Sequence, residues 1–231
     1  MTRKLFWEDA YAKEFTAEVL RIEGSSVVLD QTCFNPRSGG LTSDLGTIDG
    51  VQLTEVTKLG DDILHAFSSP PGIGVGQTVR GVLDWERRHR IMKMHTATHI
   101  LSNVVNTETS ALITGNSVAP DESKVDFSLE DFDRGKMEEY VGKVNEVIGR
   151  DLVVRTYFLK REEALSLPRM VKLAKATPPD VAELRIVEIG DFDRQADGGV
   201  HVARTSEIGR IRFLRADNKG KVNRRIYFSL S

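Results

Sequence analysis

Near residue 84 the sequence changes its pattern, and that change restricts the possible folds more than any other feature. Before it, short apolar and β-branched runs are cut at close intervals by turn formers. Candidate strands are Ala17-Ile22, Ser26-Leu29, Val51-Lys58, Ile63-Ala66 and Gln77-Leu83. Glu23-Gly24, the stretch from Pro36 to Gly40, Asp49-Gly50, Gly60-Asp61 and Pro70-Pro71-Gly72 separate them. Strands this short and this closely punctuated predict a small barrel or curled sheet. After residue 84 the apolar residues recur at helical spacing. Ile91, Met94, Leu101, Val104 and Val105 form one stripe of a helix expected over 84–106. A second helix is expected over 129–148, with Ser128 as its N-cap and Asp131 three residues on. Its inner face carries Met137, Val141, Val144 and Ile148. A strand over 152–159, a short helix from Arg161 to Leu165, and strands over 184–189, 208–216 and 223–229 complete an α+β second half. The expected fold class is α+β, with an N-terminal small β-barrel over 1–83 and an α+β domain over 84–231.

The 231 residues are enough to bury a core in one large domain or two small ones. No apolar stretch reaches the roughly 18 residues of a membrane span, and the opening residues carry no apolar signal core. The one cysteine, Cys33, builds no disulfide framework and reads as a buried small residue. The expected location is cytoplasmic, with no membrane partner. A net charge of -2 argues against indiscriminate nucleic-acid binding. Two basic clusters still allow local phosphate contacts, one with Arg87, Arg88 and Arg90, the other with Lys219, Lys221, Arg224 and Arg225. A solvated charged face is the ordinary reading of either.

Of five histidines, three are spaced informatively. His95 and His99 lie four apart on the expected first helix, turned from each other by about 40°, so both imidazoles can reach one metal ion. They sit at the edge of the apolar stripe and are expected to point inward. No Glu follows His95, which removes the zinc-protease pattern. Asp197 and His201 repeat the four-residue spacing around Gly198-Gly199, where a tight turn is the better reading than a helix. Three imidazoles and one carboxylate make a tetrahedral donor set for zinc. His65 and His89 have no such partner, and the acidic runs 121–126 and 130–133 read as a loop and a charged helix start.

These residues also resemble a known family. His95-Thr96-Ala97-Thr98-His99-Ile100-Leu101 is similar to the first signature of the editing domain of alanyl-tRNA synthetases and their freestanding AlaX relatives. Gly198-Gly199-Val200-His201-Val202-Ala203-Arg204-Thr205-Ser206-Glu207-Ile208-Gly209 is similar to the second. The stretch from Phe34 to Thr47, with Ser38-Gly39-Gly40-Leu41 inside it, resembles the glycine-rich motif of the family's N-terminal barrel. Order and separation match over nearly the whole chain, and the length is that of the medium class. The chain departs from the pattern at Asp197, where the family has Cys, at Val200, where it has Thr, and at Ser38-Gly39-Gly40-Leu41, where it has Gly-Gly-Gly-Gln. A hard oxygen in place of sulfur favours zinc less and admits other divalent ions.

The resemblance implies a trans-editing hydrolase that cleaves the aminoacyl ester of alanine tRNA charged with a wrong amino acid, serine or glycine. It implies one zinc, or another divalent ion, on His95, His99, Asp197 and His201, with Asp197 and His201 also assigned to catalysis. Whether Asp197 is a ligand or a base acting on water is open, as is whether the metal activates water or orients the substrate. Gly39, Gly40, Thr98, Gly198 and Gly199 are assigned to substrate contact, and the two basic clusters to tRNA phosphates. The alternative is a tRNA-binding relative without hydrolysis. A further rival is a metal-dependent hydrolase of some other small ester or amide.

Overall fold

The computed structural model describes residues 1–130, 133–167 and 180–231; Asp131 of the expected capping pair lies outside them. It is a mixed fold in which strands predominate. By their contacts the described residues divide into two compact units, Met1–Ile91 and Met92–Ser231. No helix among them is long and apolar enough to cross a membrane, a statement that says nothing of β-barrels.

The first unit begins with β1 (Arg3–Lys4) and the single-turn α1 (Leu5–Glu8), followed by β2 (Glu14–Glu23), β3 (Ser26–Leu29) and β4 (Gln31–Thr32). Then come β5 (Gly46–Ile48), β6 (Val51–Leu59), β7 (Asp62–Phe67) and β8 (Thr78–Leu83). β2 pairs with β3, β3 with β7, β7 with β6, β6 with β5, β5 with β8, and β8 with β2, so the ladder returns to its first strand. Alternation decides which side chains point in: Phe15, Ala17 and Val19 on β2, Ile63 and Phe67 on β7, and Val79 and Leu83 on β8 are all buried. Opposite Phe15 stands Gly81, where a Cβ would meet the Phe15 ring at 2.2 Å, so the ring needs the missing side chain. Gly39 and Gly40 have φ of 57° and 87° between Ser38 and Leu41, which exchange backbone hydrogen bonds of 3.1 and 2.8 Å. Two successive positive φ values are what a two-residue hairpin turn demands.

α2 (Trp85–Thr109) starts behind Asp84, whose carboxylate accepts from the Arg87 N–H at 3.0 Å, and stops before Ser110 at φ 60°. The boundary between the units falls inside this helix. The second unit continues with β9 (Ile113–Ser117), β10 (Ser123–Phe127), α3 (Arg134–Gly149), β11 (Val154–Lys160) and α4 (Arg161–Ser166). Next are β12 (Glu183–Ile189), β13 (Asp193–Ala196), a 3-10 turn over Thr205–Ile208, β14 (Ile211–Asn218) and β15 (Arg224–Leu230). One antiparallel sheet runs β14-β15-β10-β9 and a second runs β11-β12-β13. Asn145 fastens α3 to β14, donating to the Ile211 carbonyl at 2.8 Å and accepting from the Ile211 N–H at 2.9 Å.

Three sequence expectations are corrected. α3 begins at Arg134, because the Asp133 carboxylate accepts from the Gly135 and Lys136 N–H groups. The Ser128 hydroxyl instead accepts from the Leu112 N–H at 2.9 Å. Residues 123–127, taken for a loop, are strand β10, and the strand expected from 208 begins at Ile211.

Candidate metal centre

From Met94 to Val105 every residue of α2 is buried, so this stretch of the helix has no polar face in water. Six of those residues, His95, Thr96, Thr98, His99, Ser102 and Asn103, are polar and need partners inside the protein. Thr96, Thr98 and Ser102 donate back to the carbonyls of Met92, Met94 and Thr98. Asn103 donates to the Phe192 carbonyl at 2.7 Å. The hydroxyl of Thr98, expected at the substrate, is thus turned to its own helix.

The two histidines are satisfied differently, and His201 joins them from the segment after β13. Ring centroids lie 5.0 Å apart for His95 and His99, 4.2 Å for His95 and His201, and 4.7 Å for His99 and His201. All three turn Nε2 toward the Asp197 carboxylate, at 3.6, 3.8 and 3.2 Å. Their other nitrogens face outward. Nδ1 of His95 donates to the Val200 carbonyl at 3.2 Å and Nδ1 of His201 to the Thr96 hydroxyl at 3.1 Å. The Thr96 oxygen also accepts from the Val202 N–H, and its own proton is spent on Met92, so His201 must carry hydrogen on Nδ1. Nδ1 of His99 has no hydrogen bond and faces Asp193 at 3.7 Å.

This arrangement suits a divalent ion. Imidazoles that give Nδ1–H to a carbonyl or a hydroxyl, as His95 and His201 do, keep their Nε2 lone pairs for a metal. A tetrahedral zinc with ligands near 2.0 Å would set neighbouring donors about 3.3 Å apart, and the imidazole nitrogens stand 3.2 to 3.8 Å from the Asp197 oxygens. The four donors lie within 4.8 Å of one another. Asp197 is the exposed member, with a quarter of its side chain in solvent, while the histidines are buried. Burial pushes His95 down to about 4 and His201 well below the usual range, so both rings are neutral at pH 7. Burial also opposes charge on His99, but Asp193 and Asp197 lift it to about 9. Burial alone would raise Asp197; the imidazoles His95, His201 and His99 hold it well below the ordinary carboxylate range.

The turn that carries Asp197 is itself braced. Its Oδ1 accepts from the Gly199 N–H at 2.6 Å, the local turn expected of Asp before Gly-Gly. Arg185, buried on β12, donates to the carbonyls of Asp197 and Gly199 and accepts from the Asp197 N–H. Spacing did not single out Thr96, Asp193 or Arg185, since a residue that supports a ligand is marked only by the folded chain.

Gly39 and Gly40 form the hairpin turn of the first unit. Arg88 is fully buried: it pairs with Asp44 and donates to the carbonyls of Ala10 and Cys33. Arg224 is buried as well, its Nη atoms donating to Asn218 and to the carbonyls of Gly220, Asn223, Lys221 and Glu130. Neither guanidinium is placed to meet a phosphate, which corrects the expectation for both. Arg87 is half-buried on Thr42 and Ser43, and Arg90 is half-buried. Arg225 pairs with Asp126, Lys219 is exposed 3.5 Å from Asp217, and Lys221 is exposed.

Residues 184–227 match the family model described as the threonyl and alanyl tRNA synthetase second additional domain. The chain is 43% identical to the alanyl-tRNA editing protein AlaX-M of Saccharolobus solfataricus, over 100% of this chain and 99% of that one. It is 44% identical to that of Methanosarcina mazei, over 100% and 97%. It is also 32% identical to the alanine–tRNA ligase of Sulfurisphaera tokodaii, over 94% of this chain but 25% of the ligase.

Proposed function

The chain belongs to the AlaX-M family of alanyl-tRNA editing proteins, and from that membership we propose that it is a trans-editing deacylase. It cleaves the ester between a wrong amino acid, serine or glycine, and the terminal ribose of alanine tRNA. The observation that carries the reading is the convergence of His95, His99, Asp197 and His201 within 4.8 Å.

These four residues hold one divalent ion, zinc or a harder ion suited to the Asp197 oxygen. When bound, it supplies Lewis-acid activation of a water or of the ester carbonyl. The chain's own groups do the rest. Val200 and Thr96 hold His95 and His201 in the tautomers that face the donor cluster. Asp197, the solvent-facing member, either completes the ligand set or takes a proton from the attacking water. Gly198 and Gly199 let the backbone run close to the reacting ester. Within the family resemblance, residues 1–83 are the N-terminal barrel, a reading supported by the closed ladder of β2, β3, β7, β6, β5 and β8, and residues 84–231 are the editing domain. Gly39, Gly40 and Thr98 keep their substrate roles from the resemblance alone. Arg87, Arg90, Lys219, Lys221 and Arg225 remain the basic residues assigned to tRNA phosphates.

The test is hydrolysis of seryl-tRNA for alanine by the zinc-supplemented protein, with correctly charged alanyl-tRNA beside it. Release of serine with alanine spared supports trans-editing. Charged tRNA held but not hydrolysed, with metal bound, would replace it with the binding relative.

A further inference from the structure

We propose that Arg185 is a positioning residue of the proposed deacylase site, clamping the Asp197–Gly199 turn so that the turn presents a carboxylate to His95 and His99. The inference rests on the metal-assisted reading above and adds to it a residue that neither motif contains.

The geometry is reciprocal. β12 and β13 pair up to Ile186 opposite Ala196, and the next residues, Arg185 and Asp197, are where that ladder ends. There the Asp197 N–H donates to the Arg185 carbonyl at 3.0 Å. The Arg185 side chain comes back on the same turn, its Nη1 donating to the Asp197 carbonyl at 3.0 Å and the Gly199 carbonyl at 2.9 Å. Those carbonyls flank Gly198, so one guanidinium spans the segment that two glycines would otherwise leave loose. Inside the clamped turn, Oδ1 of Asp197 takes the Gly199 N–H. That leaves Oδ2 facing Nε2 of His95 and His99. Without the clamp the turn can rotate, and the one ligand that is not an imidazole loses its direction.

A guanidinium here is costly. It is 7% exposed, and taking a cation out of water is unfavourable unless charge and hydrogen bonds compensate. Two amide donors would serve the carbonyls without that cost. What the charge adds is attraction to the Asp197 anion. Its neighbours Leu184 and Ile186 turn the other way, into a small core with Ala164, so Arg185 is not needed to fill that core.

Two variants test this, Arg185→Met, which keeps the length but neither the charge nor the donors, and Arg185→Lys, which keeps the charge. Zinc affinity is measured by competition with a chromophoric chelator, and the cobalt-substituted protein supplies a visible ligand-field spectrum. Deacylation is resolved into kcat and KM. For Arg185→Met the expected result is about a 10- to 100-fold loss of zinc affinity, the usual scale for residues that orient metal ligands. The cobalt bands shift, and kcat falls while KM stays within about twofold, with Arg185→Lys recovering part of each. Unchanged zinc affinity and cobalt spectrum in a cooperatively folded Arg185→Met or Arg185→Lys would overturn the proposal and leave Arg185 a brace of the fold. So would a wild type that binds no metal. Should Arg185→Met fail to fold, the lysine variant alone decides. The metal readouts need no tRNA, so failure of the editing reading, no hydrolysis by a wild type that binds zinc, is separate from failure of this one.

Discussion

Asp197 is the residue on which most chemistry turns. It is the one carboxylate in a candidate cluster with three imidazoles, and by the resemblance it stands where the family pattern has sulfur. Asp197→Cys should tighten zinc by roughly tenfold and weaken competition by magnesium or manganese, because thiolate prefers the softer ion. Metal competition titrations check this, and an unchanged zinc affinity would mean that Asp197 is no ligand. Arg88 shows the opposite case, a charge that looks functional in the sequence and is spent on the fold. Arg88→Met leaves the Asp44 carboxylate buried without its partner and should cost about 3–5 kcal/mol of stability by urea unfolding. Below its unfolding range, the variant should keep the wild-type dependence of tRNA affinity on salt. A slope reduced by about one would show that Arg88 does meet a phosphate.

Among the elements, α2 and α3 differ in how they are held. α2 is buried along its middle, and there His95, Asn103 and the Thr96 oxygen find partners outside the helix. α3 is amphipathic, and its start depends on one side chain, Asp133, over two N–H groups. Asp133→Ala should therefore lower stability by about 1 kcal/mol, the ordinary worth of an N-cap, without changing metal affinity. Thermal melting with a parallel zinc titration tests both halves; an unchanged melting temperature would remove the capping role. The strands missed from the sequence, β1, β4, β5, β9, β10 and β13, are two to five residues long. Such short runs carry too few alternating residues to stand out, and each is defined by the strand it pairs with.

For the whole molecule, acid should act through histidines buried without charge. His65 is fully buried between the Thr32 hydroxyl and the Val27 carbonyl, and burial holds it near 4 against an ordinary 6.5. The unfolded chain takes that proton more readily, so the contribution is present above pH 6.5 and lost as pH falls toward 4. It amounts to about 3 kcal/mol. His65→Asn should lose less stability than the wild type between pH 7 and pH 4.5, since His95 and His201 titrate alike in both. Equal losses in urea melts would mean that the ring is not held neutral. The buried Cys33 thiol, pushed up to about 11 by desolvation, adds no titration in that range.

Spacing along the chain was enough for the local features. The helical stripe from Ile91 to Val105, the alternating strands of the first unit and the turn at Asp197-Gly198-Gly199 follow from periodicity and from backbone freedom, which neighbours in sequence decide. The same spacing picked out His95, His99, Asp197 and His201, because both pairs lie four residues apart and two motifs bound them. It did not separate Arg88 and Arg224 from solvent-facing arginines, since burial depends on elements distant in sequence, Asp44 for one and Glu130 for the other. Nor did it find Thr96, Asp193 and Arg185, whose roles exist only where the strand and turn of residues 185–201 meet a helix roughly 100 residues earlier in the chain. Direction of a donor atom is a property of packing, and packing alone decided which nitrogen of each imidazole faces the candidate metal.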